Sequence, residues 1–280
     1  METETINQKA IIYDDNCPMC SLYTQGFVYW GLLEPQNRIP FSRIEATGLL
    51  NQLDADKARH EIPLVDLAGG KTLYGPEALV FLLKQKVPVL NNLWQWRGAR
   101  TFIHGLYQLI SYNRRVIIPA GQVPGAFNCA PDFNRKYRLR FIYLGIFMTC
   151  LLTYGFGASL ENSLKIIHGG LSLLLIVSTG WAIQFLLAGV FLKLKRLEYI
   201  GQLALIMLMG VFLLVPGILI STFWPSPWVP LISVLLSSSL MVQQHIFRLR
   251  HLQISPRWTW LWFVNLLGTV AAWVFFFLLN

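Results

Sequence analysis

Five runs without a single Asp, Glu, Lys or Arg, at roughly 141–160, 166–192, 199–224, 228–247 and 258–279, fill the second half of the chain. Each is close to the roughly 20 residues an α-helix needs to span a hydrocarbon core. Lipid offers no hydrogen-bond partner to an open backbone, so such runs fold as helices whose N–H and C=O groups pair internally. The expectation over 141–280 is an all-α bundle of about five transmembrane helices. The lack of ionisable groups in these runs argues against an ion transporter, which needs charged or protonatable side chains along its path.

The flanking charges alternate. Arg135, Lys136, Arg138 and Arg140 precede the first run, Lys193, Lys195 and Arg196 separate the second and third, and Arg248, Arg250 and Arg257 separate the fourth and fifth. The opposite loops hold only Lys165, beside Glu161, and the uncharged Pro225-Ser226-Pro227. Basic loops stay on the cytoplasmic side, so the N-terminal domain is expected in the cytoplasm and Asn280 across the membrane. Met1 to Ala10 carries two glutamates and no apolar stretch, and does not read as a signal or transit peptide. The expected location is a bacterial inner membrane. Most of the net charge of +9 comes from these loops, so no nucleic-acid partner is expected.

The first third reads as soluble. Strand (10–13), helix (21–33), strand (38–41), helix (about 47–59), strand (62–67), a Gly69-Gly70 turn, strand (72–74) and helix (76–84) give the order βαβαββα. That order belongs to an α/β thioredoxin-like sheet. The organisation read from the sequence is this domain over 1–90, an interfacial helical connector and loop over 91–140, and the membrane domain over 141–280.

Between the first strand and the first helix lies Cys17-Pro18-Met19-Cys20. A strand feeding a C-x-x-C at a helix start is the layout of a redox dithiol, because exposed backbone N–H groups and the positive end of the helix dipole favour a thiolate there. Cys17 is read as the nucleophile and Cys20 as the resolving thiol. A zinc site would need two further ligands at comparable spacing. The remaining cysteines, Cys129 and Cys150, do not supply them, so no metal is expected and the redox group is the Cys17–Cys20 pair itself.

Residues 8–118 resemble the DCC family of thiol-disulfide oxidoreductases, named for an Asp-x-x-Cys-x-x-Cys signature. Tyr13-Asp14-Asp15-Asn16-Cys17-Pro18-Met19-Cys20 carries that signature, Gly75-Pro76-Glu77-Ala78 matches a Gly-x-x-Ala helix start, and Tyr107 with Asn113-Arg114 matches a Tyr and Asn-Arg ending. Asp15 stands where the family usually has Gly. The resemblance, which leaves the five apolar runs outside it, implies an enzyme exchanging dithiol and disulfide, with protein or small-molecule thiols and disulfides as partners; the apolar runs add a membrane anchor in the lipid bilayer. The alternative is a redox-sensing or docking module that regulates or assembles a membrane complex.

Asp14 is read either as a base for the Cys20 proton during resolution of a mixed disulfide or as a turn and helix cap. Ile62-Pro63 falls where thioredoxin-like folds carry a cis-proline, and the backbone of Ile62 is expected to pair with an incoming chain, so Ile62, Pro63 and Pro18 are the expected substrate-side residues. The connector mixes Trp94, Trp96, Phe102, Tyr107 and Tyr112 with Arg97, Arg100, Arg114 and Arg115. It suits either a membrane interface, where Arg meets anionic lipid, or packing against the sheet. Cys129, in a Pro- and Gly-rich loop, is a candidate relay thiol, and Cys150 a packing residue. His168, His245, Gln184 and Gln202 are read as interfacial or helix-bridging polar groups.

Overall fold

The computed structural model of the chain describes residues 8–119, 131–164 and 168–279. It divides into two compact units, Met1–Tyr137 and Arg138–Asn280.

The first unit is built on a four-stranded sheet. Its strands are β1 (Lys9–Tyr13), β2 (Arg38–Pro40), β3 (Pro63–Asp66) and β4 (Leu73–Tyr74), in the order β2-β1-β3-β4. β1 runs parallel to β2 and antiparallel to β3, and β3 is antiparallel to β4. The helices are α1 (Pro18–Tyr29), α2 (Ile44–Thr47), α3 (Ala55–His60), α4 (Gly75–Leu83), α5 (Val89–Gln95) and α6 (Arg97–Ile117). Strand alternation sorts the core into two layers. Ile11, Tyr13 and Leu64 face α1 and α4, packing with Phe27, Phe81 and Leu82. Ile12 and Val65 face the other way, against Phe41, Ile44, Leu49 and Ala58. Every residue of β1 is buried, including Lys9, whose Nζ meets Asp66 Oδ2 at 2.6 Å.

Two helix boundaries differ from the sequence reading. α1 begins at Pro18 rather than Ser21 because Cys17 caps it, and it ends at Tyr29 in a Schellman motif: Gly31 at φ 66° lets Leu32 N–H reach Phe27 O at 2.8 Å and Gly31 N–H reach Val28 O at 3.0 Å. Leu32 and Leu33 then join the core as loop residues. The single helix expected over about 47–59 is broken. Gly48 at φ 70° stops α2, a 3-10 turn covers Leu49–Gln52, and Asp54 starts α3 afresh by accepting the Lys57 N–H at 3.1 Å.

The second unit is a helical bundle of α7 (Arg135–Leu164, whose first residues belong to the first unit), α8 (Gly169–Phe191), α9 (Arg196–Phe223), α10 (Trp228–His251) and α11 (Thr259–Leu279). Among the described residues four helices, α7 to α10, are long and apolar enough to cross a membrane, the mark of a membrane protein. The fifth apolar run forms α11, which is not among those four. Small residues set the close approaches. Ser237 Oγ on α10 donates to Gly210 O on α9 at 2.9 Å, and Gly217 faces Ser233. On α7, a Cβ at Gly157 would lie 2.6 Å from Gly169 O and 2.8 Å from Gly170 Cα of α8.

That last contact is backbone on backbone and has no side chain that can yield. Gly157→Ala is expected to destabilise the bundle by about 1–3 kcal/mol, read as a lower Tm of the detergent-solubilised protein. Gly189→Ala, where a Cβ meets nothing within 4 Å, is expected to leave the Tm unchanged or raise it.

Candidate dithiol site

The site forms where β1 ends. Asp14 Oδ1 accepts the Asn16 N–H at 3.0 Å, and Asp14 O accepts the Cys17 N–H at 3.1 Å, which turns the chain back on itself. Asp15 at the same turn has no positive φ, so the turn does not demand glycine there. Its carboxylate accepts the Ser42 N–H at 3.3 Å.

Cys17 is itself the N-cap of α1. Its Sγ accepts the Cys20 N–H at 3.4 Å, satisfying one of the donors that every helix start leaves open. Pro18 occupies the first helical turn, where a missing N–H costs nothing, and is exposed. One turn on, Cys20 points into the core with 4 % of its surface exposed, against 6 % for Cys17. Both are free thiols.

The charge beside them comes from α6. Arg114 Nη2 lies 3.5 Å from Asp14 Oδ2 and donates to Arg59 O at 3.3 Å, and Nη1 lies 3.9 Å from Cys20 Sγ. Arg114 is 8 % exposed. Three and seven residues before Arg114, the same face of α6 makes two more bonds that hold it down. Ser111 Oγ donates to His60 O, and Tyr107 Oη accepts the Ile62 N–H at 2.9 Å. Arg59 and His60 end α3, so Arg114 and Ser111 supply partners for carbonyls that the helix terminus leaves unpaired. Gly75 carries a φ of 53°, and a Cβ there would meet Tyr107 Cε1 at 3.1 Å, which explains the glycine that opens α4.

These neighbours set the ionisation of the pair. Hydrogen bonding from the Cys20 thiol lowers Cys17 to about 6, aided by the Cys20 N–H and Arg114 and opposed by burial and the Asp14 carboxylate. Seen from the donor, the same bond pushes Cys20 far upward, and burial adds to it. Burial likewise raises Tyr23 and, to a smaller extent, Tyr107, whose neighbours include Cys20. At pH 7 the value of about 6 leaves Cys17 roughly ten thiolates to one thiol.

The structure therefore brings Cys17, Cys20, Asp14 and Pro18 together at one turn. Ile62 and Pro63 behave differently from the sequence expectation. The Ile62–Pro63 peptide is trans, since no cis bond occurs among the described residues. Both backbone groups of Ile62 are already used, its N–H by Tyr107 and its carbonyl by the Gly75 N–H at 2.9 Å. Of the two readings of the connector, membrane interface or packing against the sheet, Arg114 and Tyr107 take the second and sit against the dithiol. The signal that would have revealed them is spacing, because Tyr107, Ser111 and Arg114 fall at i, i+4 and i+7 on one helix face. Cys129 lies outside the described residues. No cluster of three or more His, Cys, Asp or Glu side chains suited to a metal ion occurs among the described residues. Compared with known proteins, the chain matches no family model, no curated protein and no solved structure.

The pH dependence of Cys17 follows from its neighbours. Alkylation by iodoacetamide, followed residue by residue by mass spectrometry, is expected to rise with a midpoint near pH 6 for Cys17. Arg114→Met removes a cation that favours the thiolate and moves that midpoint up, whereas Asp14→Asn removes a like charge and moves it down. A wild-type midpoint at about 8.5, the value of a free thiol, would show that the site does not activate Cys17.

Proposed function

We propose that this protein is a membrane-anchored thiol-disulfide oxidoreductase whose soluble domain exchanges dithiol and disulfide through Cys17 and Cys20. The observation that carries the reading is the capping geometry: Cys17 Sγ accepts a backbone N–H at the start of α1, with a guanidinium beside the pair, and both features favour the attacking thiolate. The sheet order β2-β1-β3-β4, with one parallel pair at β1–β2 and a C-x-x-C after β1, supports a thioredoxin-like fold. The motifs over residues 8–118 support membership of the DCC family.

In the forward direction the Cys17 thiolate attacks a disulfide sulfur, one thiolate leaves, and Cys17 is held in a mixed disulfide. Cys20 then loses its proton and attacks Cys17 Sγ, releasing the second thiol. Asp14 is the acceptor proposed for that proton. Arg114, which lies beside both Asp14 and Cys20 Sγ, stabilises the thiolate formed.

The test is a trap. Cys20→Ser protein recovered from cells under acid quench is expected to carry mixed disulfides on Cys17, while Cys17→Ser carries none on Cys20. A bare Cys17 in the first variant, with wild-type abundance and fold, would favour the redox-sensing or docking reading.

The charge pattern supports a cytoplasmic soluble domain, with α11 as a fifth crossing. Reporter fusions are expected to place the loops at Lys193–Arg196 and Arg248–Arg257 in the cytoplasm and Asn280 across the membrane. A cytoplasmic Asn280 would leave four crossings and α11 on the near side.

A further inference from the structure

We propose that the disulfide handled by Cys17 and Cys20 is that of a small non-protein molecule, because α6 occupies the place where a polypeptide substrate would pair. This inference rests on the oxidoreductase reading and names its substrate class.

A polypeptide is held beside a dithiol by main-chain hydrogen bonds to an open strand edge or loop, and its affinity comes from those bonds. The edge beside this dithiol is closed. Ile62 N–H donates to Tyr107 Oη at 2.9 Å, Ile62 O accepts from Gly75 N–H at 2.9 Å, and the next residue, Pro63, has no N–H to offer. The preceding residue is engaged as well, with Glu61 N–H donating to Lys57 O at 2.8 Å.

The cover is firmly attached. Tyr107, Ser111 and Arg114 bond respectively to Ile62 N–H, His60 O and Arg59 O, so three of the four chain positions before Pro63 are bridged to one face of α6. Arg114 also spans Asp14 and Cys20. Admitting a strand at Ile62 would break the Tyr107 bond and disturb a buried ion pair, at a cost well above the gain from one or two new main-chain bonds.

What stays open is the other side of Cys17. Asp15 and Pro18 are exposed, Asn16 and Met19 are half-buried, and Cys17 itself shows 6 % of its surface. Disulfide exchange asks only that the thiolate approach one sulfur of the substrate along the S–S direction. A molecule R–S–S–R a few atoms wide meets that demand end-on. The Cys17 thiolate bonds to one sulfur as the S–S bond breaks and RS⁻ leaves and takes a proton. Cys20, losing its proton, then bonds to Cys17 Sγ and expels the second RS⁻, which is protonated in turn. The products are two RSH and the Cys17–Cys20 disulfide, and excess small thiol resets the dithiol by the reverse exchange.

The experiment uses the full chain, reduced, desalted and reconstituted in lipid nanodiscs. It is offered either hydroxyethyl disulfide or insulin at equal disulfide concentration, and formation of the Cys17–Cys20 disulfide is followed by mass spectrometry. The expected result is oxidation by hydroxyethyl disulfide on the order of 100-fold faster than by insulin, since only the small disulfide reaches the buried thiolate. Tyr107→Phe, which frees the Ile62 N–H, is expected to narrow that ratio by raising the insulin rate. Comparable wild-type rates with the two disulfides would overturn the substrate class and leave the oxidoreductase reading standing. A dithiol inert to both would overturn that reading and this inference together.

Discussion

The guanidinium of Arg114 is the constraint on which the soluble unit is organised. A buried cation is tolerated only where its charge and its N–H groups find partners. Arg114 finds an anion in Asp14, a helix-terminal carbonyl in Arg59 and a sulfur in Cys20. Those partners come from the turn after β1, from the end of α3 and from α1. Seating one side chain therefore fixes four pieces of chain relative to one another. With Arg114 seated, the helical repeat carries Ser111 and Tyr107 to His60 and Ile62 with no further freedom. Gly75, required by its φ of 53°, also lets the Tyr107 ring and the Glu61 carboxylate come close to its backbone.

The dithiol inherits a balance of opposed effects. Burial and the Asp14 carboxylate disfavour a thiolate at Cys17, while the Cys20 thiol, the Cys20 N–H and Arg114 favour it. The favourable set wins by proximity, since the largest contributor is the thiol in the same helical turn. Moving negative charge onto Cys17 stabilises the dithiol relative to the disulfide, which has no such charge to stabilise. The corresponding disulfide is then the better oxidant. An attacking thiol with a value just below ambient pH is also mostly ionised while keeping much of its intrinsic nucleophilicity. Asp14 belongs to this balance in two ways: it orders the turn through Asn16 N–H, and it holds Arg114 where the cation acts on both sulfurs.

Much of the fold was legible because its signals are local. The apolar runs, the succession of strands and helices around the C-x-x-C and the Gly75-Pro76 start of α4 depend on neighbours within a few residues. The misread parts depend on distant chain. The break between α2 and α3 turns on Gly48 and Asp54, a left-handed stop followed by a fresh cap, which a propensity reading averages into one helix. The proline at position 63 read as cis by analogy. Its peptide is trans, with the adjoining Ile62 backbone held by Tyr107 and Gly75 from elsewhere in the chain. The role of Arg114 was hidden for the same reason, since an arginine among aromatic residues looks alike at a membrane surface and over a buried dithiol. Only the i, i+4, i+7 register of three hydrogen-bonding side chains separates the two.

The helical unit carries polar residues that its uncharged runs did not advertise as a group. Gln184 of α8 donates to Tyr199 Oη of α9 at 3.3 Å, and that hydroxyl lies 2.9 Å from His245 Nε2 of α10. Arg248, one turn beyond His245, donates to Gln202 of α9. Trp181, Trp258 and Trp262 wall the group in. Interhelical hydrogen bonds of this kind contribute only about 0.6 to 2 kcal/mol each, so stability is not their main effect. Their effect is orientation: each pair forms at one rotation and one depth of its helices, and a slip of a single residue leaves several buried polar atoms without partners. Gly157 acts in the same sense, since its close approach to the backbone of Gly169 and Gly170 fits one register. A single apolar helix is enough to tether a soluble domain. Helices joined to each other at this many points are held in one arrangement, which a tether alone does not require.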